Sequence, residues 1–387
     1  MSEALSCKRA DFSLPLDSHY LNCAYMGPLP RAVEEEGIHA IRLKSFPASI
    51  SPQDFFSHSQ ALRERFAALI HAPDPQRIAI HPSVSYGVAT AGKNVALEAN
   101  QNVVLLHEQF PGNVYTWRRR ETETGAELRT VMPPETVERG GRWTERVLDA
   151  IDSATAVVTV PTVHWTDGTR IDLVSIGARA REVGAAFIVD GTQSVGAADF
   201  DVTEVRPDVL IVAGYKWLLG PYSIGLTYMG ERFSEGVPLE ETWIGRQGSE
   251  AFQGLVDYQD EYQPGALRYD VGERSNFVLV PMLKKSLELL LEWTPARISR
   301  YCHRLSEPLI QRALELGFAI EEEKWRSPHL FGLYMPPGLE LTALKAALDE
   351  RQIYVSLRGQ ALRIAPNIYN DESDVGALIE ALEAVRP

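Results

Sequence analysis

The chain reads as an α/β protein with a mostly parallel central sheet between helices, followed by a smaller α+β unit. Three observations predict this. Short apolar runs at 78–80, 103–106, 157–160, 186–189 and 209–213 alternate with helix-like stretches. The longer runs are continuously apolar, as in Val-Leu-Ile-Val-Ala over 209–213, which marks strands covered on both faces. From Leu279 on the texture changes: helices dominate, with short candidate strands between them.

At 387 residues the chain is long enough for two domains. The expected division is a large α/β domain over 16–270, and a small α+β domain made of 1–15 and 271–387. A hydrophobic content of 45% supplies a sizeable core. A net charge of −14 argues against nucleic-acid binding, which needs a basic stripe. The run Arg118-Arg119-Arg120 is followed by Glu121 and Glu123 and reads as a solvated helix face. The N-terminal Met-Ser-Glu-Ala-Leu-Ser-Cys-Lys has no apolar core, so no secretory signal is expected. No run of about 18 apolar residues is present, so no membrane span is expected. Cys7, Cys23 and Cys302 are odd in number and lack zinc-ligand spacing. The expected compartment is cytoplasmic, with no metal.

Taken in order, 20–28 is a loop closed by Gly27-Pro28. Helices are predicted over 31–44 and from Asp54, read as an N-cap, to Ile70. A strand at 78–80 leads into Pro82-Ser83-Val84-Ser85-Tyr86-Gly87, read as a small-residue turn, and then a helix over 88–97. Such a turn before a helix can hold an anion on free amide N–H groups, although a serine there is also an ordinary cap. The strand at 103–106 is followed by Phe110-Pro111-Gly112 and a helix over 113–123. The strand at 157–160 ends in Pro161-Thr162-Val163-His164-Trp165, and a helix over 171–183 follows. The strand at 186–189 ends on Asp190, and that at 209–213 stops just before Lys216. Further on, helices are predicted over 279–293, 296–316, 341–350 and 373–385, with strands at 329–335, 354–357 and 361–364. In open parallel sheets ligands collect at the carboxyl ends of strands, where these polar residues lie.

The chemistry narrows by exclusion. No G-x-G-x-x-G follows a strand, Gly92-Lys93-Asn94 is not a phosphate loop, and no G-x-S-x-G marks a hydrolase elbow. What remains is a lysine just past one strand, an acid at the end of another, and an anion-binding turn. Pyridoxal 5'-phosphate uses this set. A lysine forms the Schiff base, an acid pairs with the pyridine nitrogen, and a helix start takes the phosphate. An aromatic ring commonly stacks on such a cofactor. Gln193 is placed to reach the ring's 3-oxygen. Alone, Asp190 reads as a turn residue and Lys216 as an exposed lysine; together they favour the cofactor.

These stretches resemble the class V aminotransferases of the fold-type I pyridoxal phosphate enzymes. That family includes cysteine desulfurases, kynureninases, isopenicillin N epimerase-like proteins and C–S lyases. The resemblance covers nearly the whole chain. Tyr20-Leu21-Asn22-Cys23-Ala24 is similar to the family's Y-L-D-N-A loop. Asp190-Gly191-Thr192-Gln193-Ser194 matches D-x-x-Q-S/A, and Gly214-Tyr215-Lys216-Trp217-Leu218-Leu219-Gly220-Pro221 matches the lysine motif. Arg268-Tyr269-Asp270-Val271-Gly272 resembles R-F-E-x-G, and Leu362-Arg363-Ile364-Ala365-Pro366-Asn367-Ile368-Tyr369-Asn370 the C-terminal arginine motif.

The resemblance implies roles. Lys216 carries the Schiff base and shuttles the proton, and Asp190 pairs with the pyridine nitrogen. Gln193 meets the 3-oxygen, Val84 and Ser85 cradle the phosphate, Phe110 stacks, and Tyr215 contacts the phosphate as in kynureninases. Trp243, in Thr242-Trp243-Ile244-Gly245, is similar to a kynureninase tryptophan that reaches the neighbouring subunit's phosphate; plain packing is its other reading. Arg363 holds the substrate carboxylate in a bidentate pair. Cys23 and Ala24 sit in a loop that approaches the substrate, with Cys23 read as a small loop residue or a reactive thiol. The chain departs from the family at Ala213, a serine in relatives, and at Glu273, a threonine, for which Ser275 or Asn276 are candidate substitutes. Trp165 stands where many members have asparagine. Desulfurases place histidine before the lysine and a persulfide cysteine shortly before the arginine motif; this chain has Tyr215 and no cysteine after Cys302.

The expectation is a cytoplasmic homodimeric enzyme with its active site at the subunit interface, acting on an α-amino acid. An aminotransferase leads. The alternative is a C–S or kynureninase-like lyase, followed by an epimerase or a binder that keeps the fold without catalysis.

Overall fold

The computed structural model describes residues 4–135 and 138–385. Residues 1–3, within the stretch read for a secretory signal, lie outside the described residues. β1 (His19–Tyr20) comes first, then α1 (Arg31–Leu43), α2 (Asp54–Leu69) and β2 (Ile78–His81). Next are α3 (Val84–Asn94), β3 (Asn102–Leu106), α4 (Tyr115–Thr124), β4 (Glu127–Val131) and α5 (Arg139–Ala150). β5 (Thr155–Pro161), α6 (Leu173–Val183), β6 (Ala186–Asp190), α7 (Val202–Val205), β7 (Val209–Ala213) and β8 (Gly225–Met229) follow. The remainder is α8 (Leu279–Trp293), α9 (Pro295–Glu315), β9 (Phe331–Tyr334), α10 (Leu341–Glu350), β10 (Ile353–Tyr354), β11 (Ser356–Arg358), β12 (Ala361–Ile364) and α11 (Glu372–Ala384).

The central sheet has seven strands in the order β2-β8-β7-β6-β5-β3-β4. β8 runs antiparallel to both neighbours, and the other pairings are parallel. The continuous apolar runs are explained by where alternate side chains go. Val158, Val160, Phe187, Val189, Leu210 and Val212 enter one core with α2, α5, α6 and α8. Val157, Ala186, Ile188, Val209 and Ile211 enter another with Val88 of α3 and Trp117 of α4. Period-two strands between two helical layers need apolar residues at every position.

The second, smaller sheet is antiparallel, in the order β11-β12-β9. β1 pairs with β10, and Asn22 bridges Ala365 just after β12. The segment after β1 is thereby tied beside the strand that carries Arg363. Among the described residues no helix is long and apolar enough to cross a membrane.

Several expected boundaries shift. The helix expected at 88 begins at Val84, because Ser83 in extended backbone caps it by accepting from the Tyr86 amide. Asp54 is the first helical residue rather than the cap, and its carboxylate accepts from the Ser51 amide and hydroxyl. The helix expected from 113 starts at Tyr115, after a short 3-10 turn. The single strand expected at 354–357 is two strands broken at Val355, one pairing with β1 and the other with β12. The Arg118-Arg119-Arg120 run lies on α4, where Arg119 pairs with Glu123 at 2.6 Å, a solvated helix face as expected.

Candidate active site

The carboxyl ends of β5, β6 and β7 converge with the start of α3 and the segment after β3. They enclose a cavity of about 270 Å³ lined by Val84, Ser85, Phe110, Trp165, Asp190 and Lys216, among others. Gln193 and Tyr215 also line it. The fold thus brings into one cavity expected site residues spread from 84 to 216 in the sequence.

Val84 and Ser85 supply the first amides of α3, which have no acceptor inside their own helix. With the dipole of α3 behind them they form an anion cradle at one end of the cavity. Phe110 follows the end of β3 and stands edge-on to Trp165, with centroids 5.5 Å apart at 86°. The indole N–H of Trp165 donates to the Glu108 carbonyl at 2.7 Å, which fixes that wall.

Asp190 closes β6 and is buried. Its Oδ1 accepts from the Thr192 amide at 3.0 Å. Burial pushes its pKa up, while the hydrogen bonds from Thr192 and the charge of Lys216 pull the other way. Thr192 in turn accepts from the Ala213 amide, at 3.3 Å, at the end of β7. Gln193 is held on both sides: its Nε2 donates to the Ala24 carbonyl at 3.2 Å and its Oε1 accepts from the Trp217 indole at 3.0 Å. The Gln193 carbonyl accepts from His329, whose pKa burial drives down to about 4, so it is a neutral imidazole donor.

Lys216 follows β7 on a turn braced by backbone. Leu219 donates to the Lys216 carbonyl, Gly220 to Gly214, and Gly27 of the N-terminal loop to Tyr215. The Lys216 Nζ lies 5.3 Å from the Phe110 ring centroid and 5.6 Å from that of Tyr215. Burial lowers its pKa to about 8, opposed by Asp190 and aided by Arg363 and Arg358. The result is a buried amine whose neutral, nucleophilic form is reached near physiological pH. Tyr215, with its ring 4.6 Å from Tyr222, is pushed up to about 12 by burial and keeps its proton.

Arg363 on β12 is 1% exposed. Its Nη1 donates to the Trp165 carbonyl at 2.8 Å and its Nη2 to Ser356 Oγ at 3.4 Å, while its buried Nε has no partner among the described residues. Burial, then the charge of Arg358, lowers its pKa to about 10.

Other expected residues lie elsewhere. Cys23 is fully buried behind the lysine turn, with Asn367 Nδ2 donating to its Sγ at 3.4 Å, and burial raises its pKa to about 12. Ala24 touches the site through the carbonyl that holds Gln193. Trp243 is outside the cavity of its own chain, packed against Phe55 and Phe252 at 6.1 and 5.5 Å and 42% exposed. The candidate substitutes for Glu273 are engaged within the chain. The Ser275 hydroxyl donates to the Phe55 carbonyl, and Asn276 Oδ1 accepts from the Val278 and Leu279 amides at the start of α8.

Sequence reasoning did not single out Gln109, Tyr222, Ser223 or Arg358. Gln109 lines the cavity with a buried Nε2 that has no partner among the described residues. Its place beside Phe110 past a strand end was the available clue. Ser223 sits at φ 66°, which no sequence pattern announces.

The residues fit pyridoxal 5'-phosphate: a buried amine with no ion-pair partner among the described residues, a buried carboxylate and free helix-start amides share one cavity. The chain belongs to the aminotransferase class-V family, whose model matches residues 51–376. Its cofactor is accordingly pyridoxal 5'-phosphate, and it is a transferase- or lyase-type enzyme of that family. The chain is 26% identical over 386 residues to an isopenicillin N epimerase of Streptomyces clavuligerus, covering 94% of each chain. It is 28% identical over 283 residues to a kynureninase of Deinococcus radiodurans, covering 70% of this chain and 65% of that one. In fold it is similar to the cysteine desulfurase CsdA from Escherichia coli, with TM-score 0.81 at 20% identity, covering 97% and 96% of the two chains.

Proposed function

We propose that the protein acts on an α-amino acid, with Lys216 as the residue that carries the cofactor and moves the proton. The observation that carries this reading is the unpaired amine of Lys216 facing the cavity that also holds Asp190. When bound, the cofactor supplies an electron sink for the charge left at the α-carbon when one of its bonds breaks.

The chain's own residues do the rest. Val84 and Ser85 would hold the phosphate by their amides, Asp190 the ring nitrogen, and Gln193 the 3-oxygen. Phe110 would stack on the ring, Tyr215 would contact the phosphate, and Trp243 would act on the neighbouring subunit's site. Arg363 would fix the substrate carboxylate, since its guanidinium is buried with no acid partner among the described residues. Cys23 and Ala24 would shape the wall behind the substrate. Lys216, with a pKa near 8, can exchange a proton at the α-carbon as general base and acid.

Transamination is the leading reaction. A C–S or kynureninase-like lyase is the second reading, favoured by Tyr215, whose ring lies 5.6 Å from Lys216 Nζ and whose phenol keeps its proton. An epimerase and a non-catalytic binder rank below these. A cytoplasmic homodimer with sites at the interface belongs to the same proposal. The exposed apolar side chains of Ile38, Ile41 and Leu43 on α1, with Phe46 beyond it, support an interface there. The domain division at 16–270 against 1–15 and 271–387 is likewise proposed, supported by the separate seven- and three-stranded sheets.

An amino-acid panel with the holoenzyme tests this. Transamination releases one 2-oxo acid per site and stops until a 2-oxo acid acceptor is added. A lyase turns over to pyruvate and ammonia, with sulfide as well when cysteine is the substrate, or cleaves kynurenine. A Lys216→Ala variant should form none of these products. Full activity in that variant, or no product from any amino acid, would sink the reading.

A further inference from the structure

Strand register places two arginines side by side. Ser356 stands opposite Arg363 and Arg358 opposite Ala361. Residues two apart on a strand share a face, so Arg358 and Arg363 are diagonal neighbours on one face of the small sheet. Leu357 and Leu362 pack into the core from the other face.

Like charges at such a spacing repel unless something neutralises them. Nothing in the described chain does so. Arg363 donates only to a carbonyl and a hydroxyl, and its Nε is bare. Arg358 donates to the Leu357 carbonyl at 2.7 Å, and its own buried Nε is also bare. Neither has a carboxylate within ion-pair distance among the described residues, in a chain with 52 acidic and 38 basic side chains. Trp165 touches both arginines and itself faces the cavity. Its carbonyl takes Arg363, and its ring lies 5.5 Å from the Arg358 guanidinium. Both cations also act on Lys216 and help to lower its pKa, so they lie close enough to matter at the reacting amine.

We propose that Arg358 is a second anion site beside Arg363, and that the substrate is an α-amino acid whose side chain carries its own carboxylate or sulfur oxyacid. This rests on the reading of Arg363 as the α-carboxylate clamp. Arg358 then selects acidic side chains over their neutral amides.

The test uses the holoenzyme and ligands without an amine, which cannot react with the cofactor. Succinate, glutarate and adipate are titrated by calorimetry against butyrate. The best dicarboxylate should bind about 10- to 100-fold more tightly than butyrate, the worth of one charge-assisted contact. Arg358→Gln should remove that advantage and leave butyrate unchanged, and Arg358→Lys should recover part of it. Arg363→Gln should weaken both ligands. Bound-cofactor absorbance and melting temperature, unchanged in the Arg358 variants, check that these fold. Dicarboxylates no tighter than butyrate, or an Arg358→Gln variant that keeps the advantage, would overturn the second site and leave the Arg363 clamp standing. An Arg363→Gln variant that binds both ligands normally would overturn the clamp and this inference with it.

Discussion

The amine of Lys216 lies over the ring of Phe110, 5.3 Å from its centroid, and has no carboxylate in ion-pair distance among the described residues. A cation–π contact of this kind offsets only part of the lost hydration. The net effect of burial is a pKa near 8 in place of 10.5. In cofactor-free protein, labelling of Lys216 by trinitrobenzenesulfonate should rise with a midpoint near pH 8. Asp190→Asn should move that midpoint lower, since Asp190 favours the charged amine, and Arg363→Gln should move it higher. A midpoint near 10 would contradict the geometry.

The same shift has a stability consequence. Between about pH 8 and 10.5 the unfolded chain keeps the Lys216 proton and the folded chain has released it. Stability therefore rises with pH across this window. The gain is on the order of 3 kcal/mol at its upper bound. Urea unfolding of cofactor-free wild type and Lys216→Met at pH 7.5 and 10.5 should show the difference between them shrink or reverse toward wild type. A difference independent of pH would exclude the shift.

Asp190 sits at the end of a fully buried strand, where the Thr192 amide donates to its Oδ1 and the Thr192 side chain adds a second hydrogen bond. As the partner of the cofactor's ring nitrogen, its charge stabilises developing negative charge in the ring. Asp190→Asn should keep the visible absorbance of cofactor bound at Lys216 while kcat falls by roughly 10²–10³-fold, the usual worth of one such electrostatic group. Steady-state kinetics with the best amino acid checks it; an unchanged kcat would remove Asp190 from this role.

Much of this site was readable because burial on two faces leaves a plain mark. β5, β6 and β7 are apolar at nearly every position, and each ends on chemistry. The strands that went unread lack that mark. β4 is an edge strand in which Glu127, Leu128, Arg129 and Thr130 all touch solvent, so its pattern resembles a loop. β8 opens on Gly225, where a Cβ would meet the His81 ring at 2.5 Å, so close packing rather than propensity explains the residue. α5 contains Gly140 and Gly141, poor helix formers whose missing side chains make room for Trp325. Arg358 was invisible for a different reason. Its meaning comes from register with Ala361 and Arg363, and that is set by pairing, not by its neighbours in sequence.

Gly27 shows how the N-terminal loop is fitted to the lysine turn. A Cβ there would lie 2.2 Å from the Lys216 carbonyl oxygen and 3.0 Å from the Leu219 side chain. Backbone cannot yield as a flexible side chain can, so Gly27→Ala should displace the loop or the turn. A loss of about 1–3 kcal/mol in stability is expected, together with lower kcat, because Lys216 moves with the turn. Gly376→Ala is the control. It lies in α11 with nothing within 4 Å of the added Cβ, and should stabilise by about 0.5–1 kcal/mol. Equal effects from the two changes would mean that the close approach at Gly27 is not limiting.

Asp270 anchors the cavity from below. Its carboxylate takes both Nη atoms of Arg63, at 3.1 and 2.5 Å, and the amide of Ile80 at 2.8 Å, and lies 3.1 Å from Arg274 Nε. All three side chains are buried. Ile80 is in β2, so this cluster fixes the strand that delivers Val84 and Ser85 to the cavity. Neutralising the one acid leaves two buried guanidinium groups uncompensated, which costs about 3–5 kcal/mol when a buried pair is broken. Arg63→Met should cost less, because Arg274 still faces Asp270. Asp270→Asn should therefore be the more destabilised of the two in urea unfolding, and should also bind cofactor more weakly because the α3 start is no longer held. If Arg63→Met proves the worse variant, the carboxylate is not the hub of the cluster. If Asp270→Asn unfolds early yet binds cofactor normally, the cluster serves the fold without positioning the phosphate cradle.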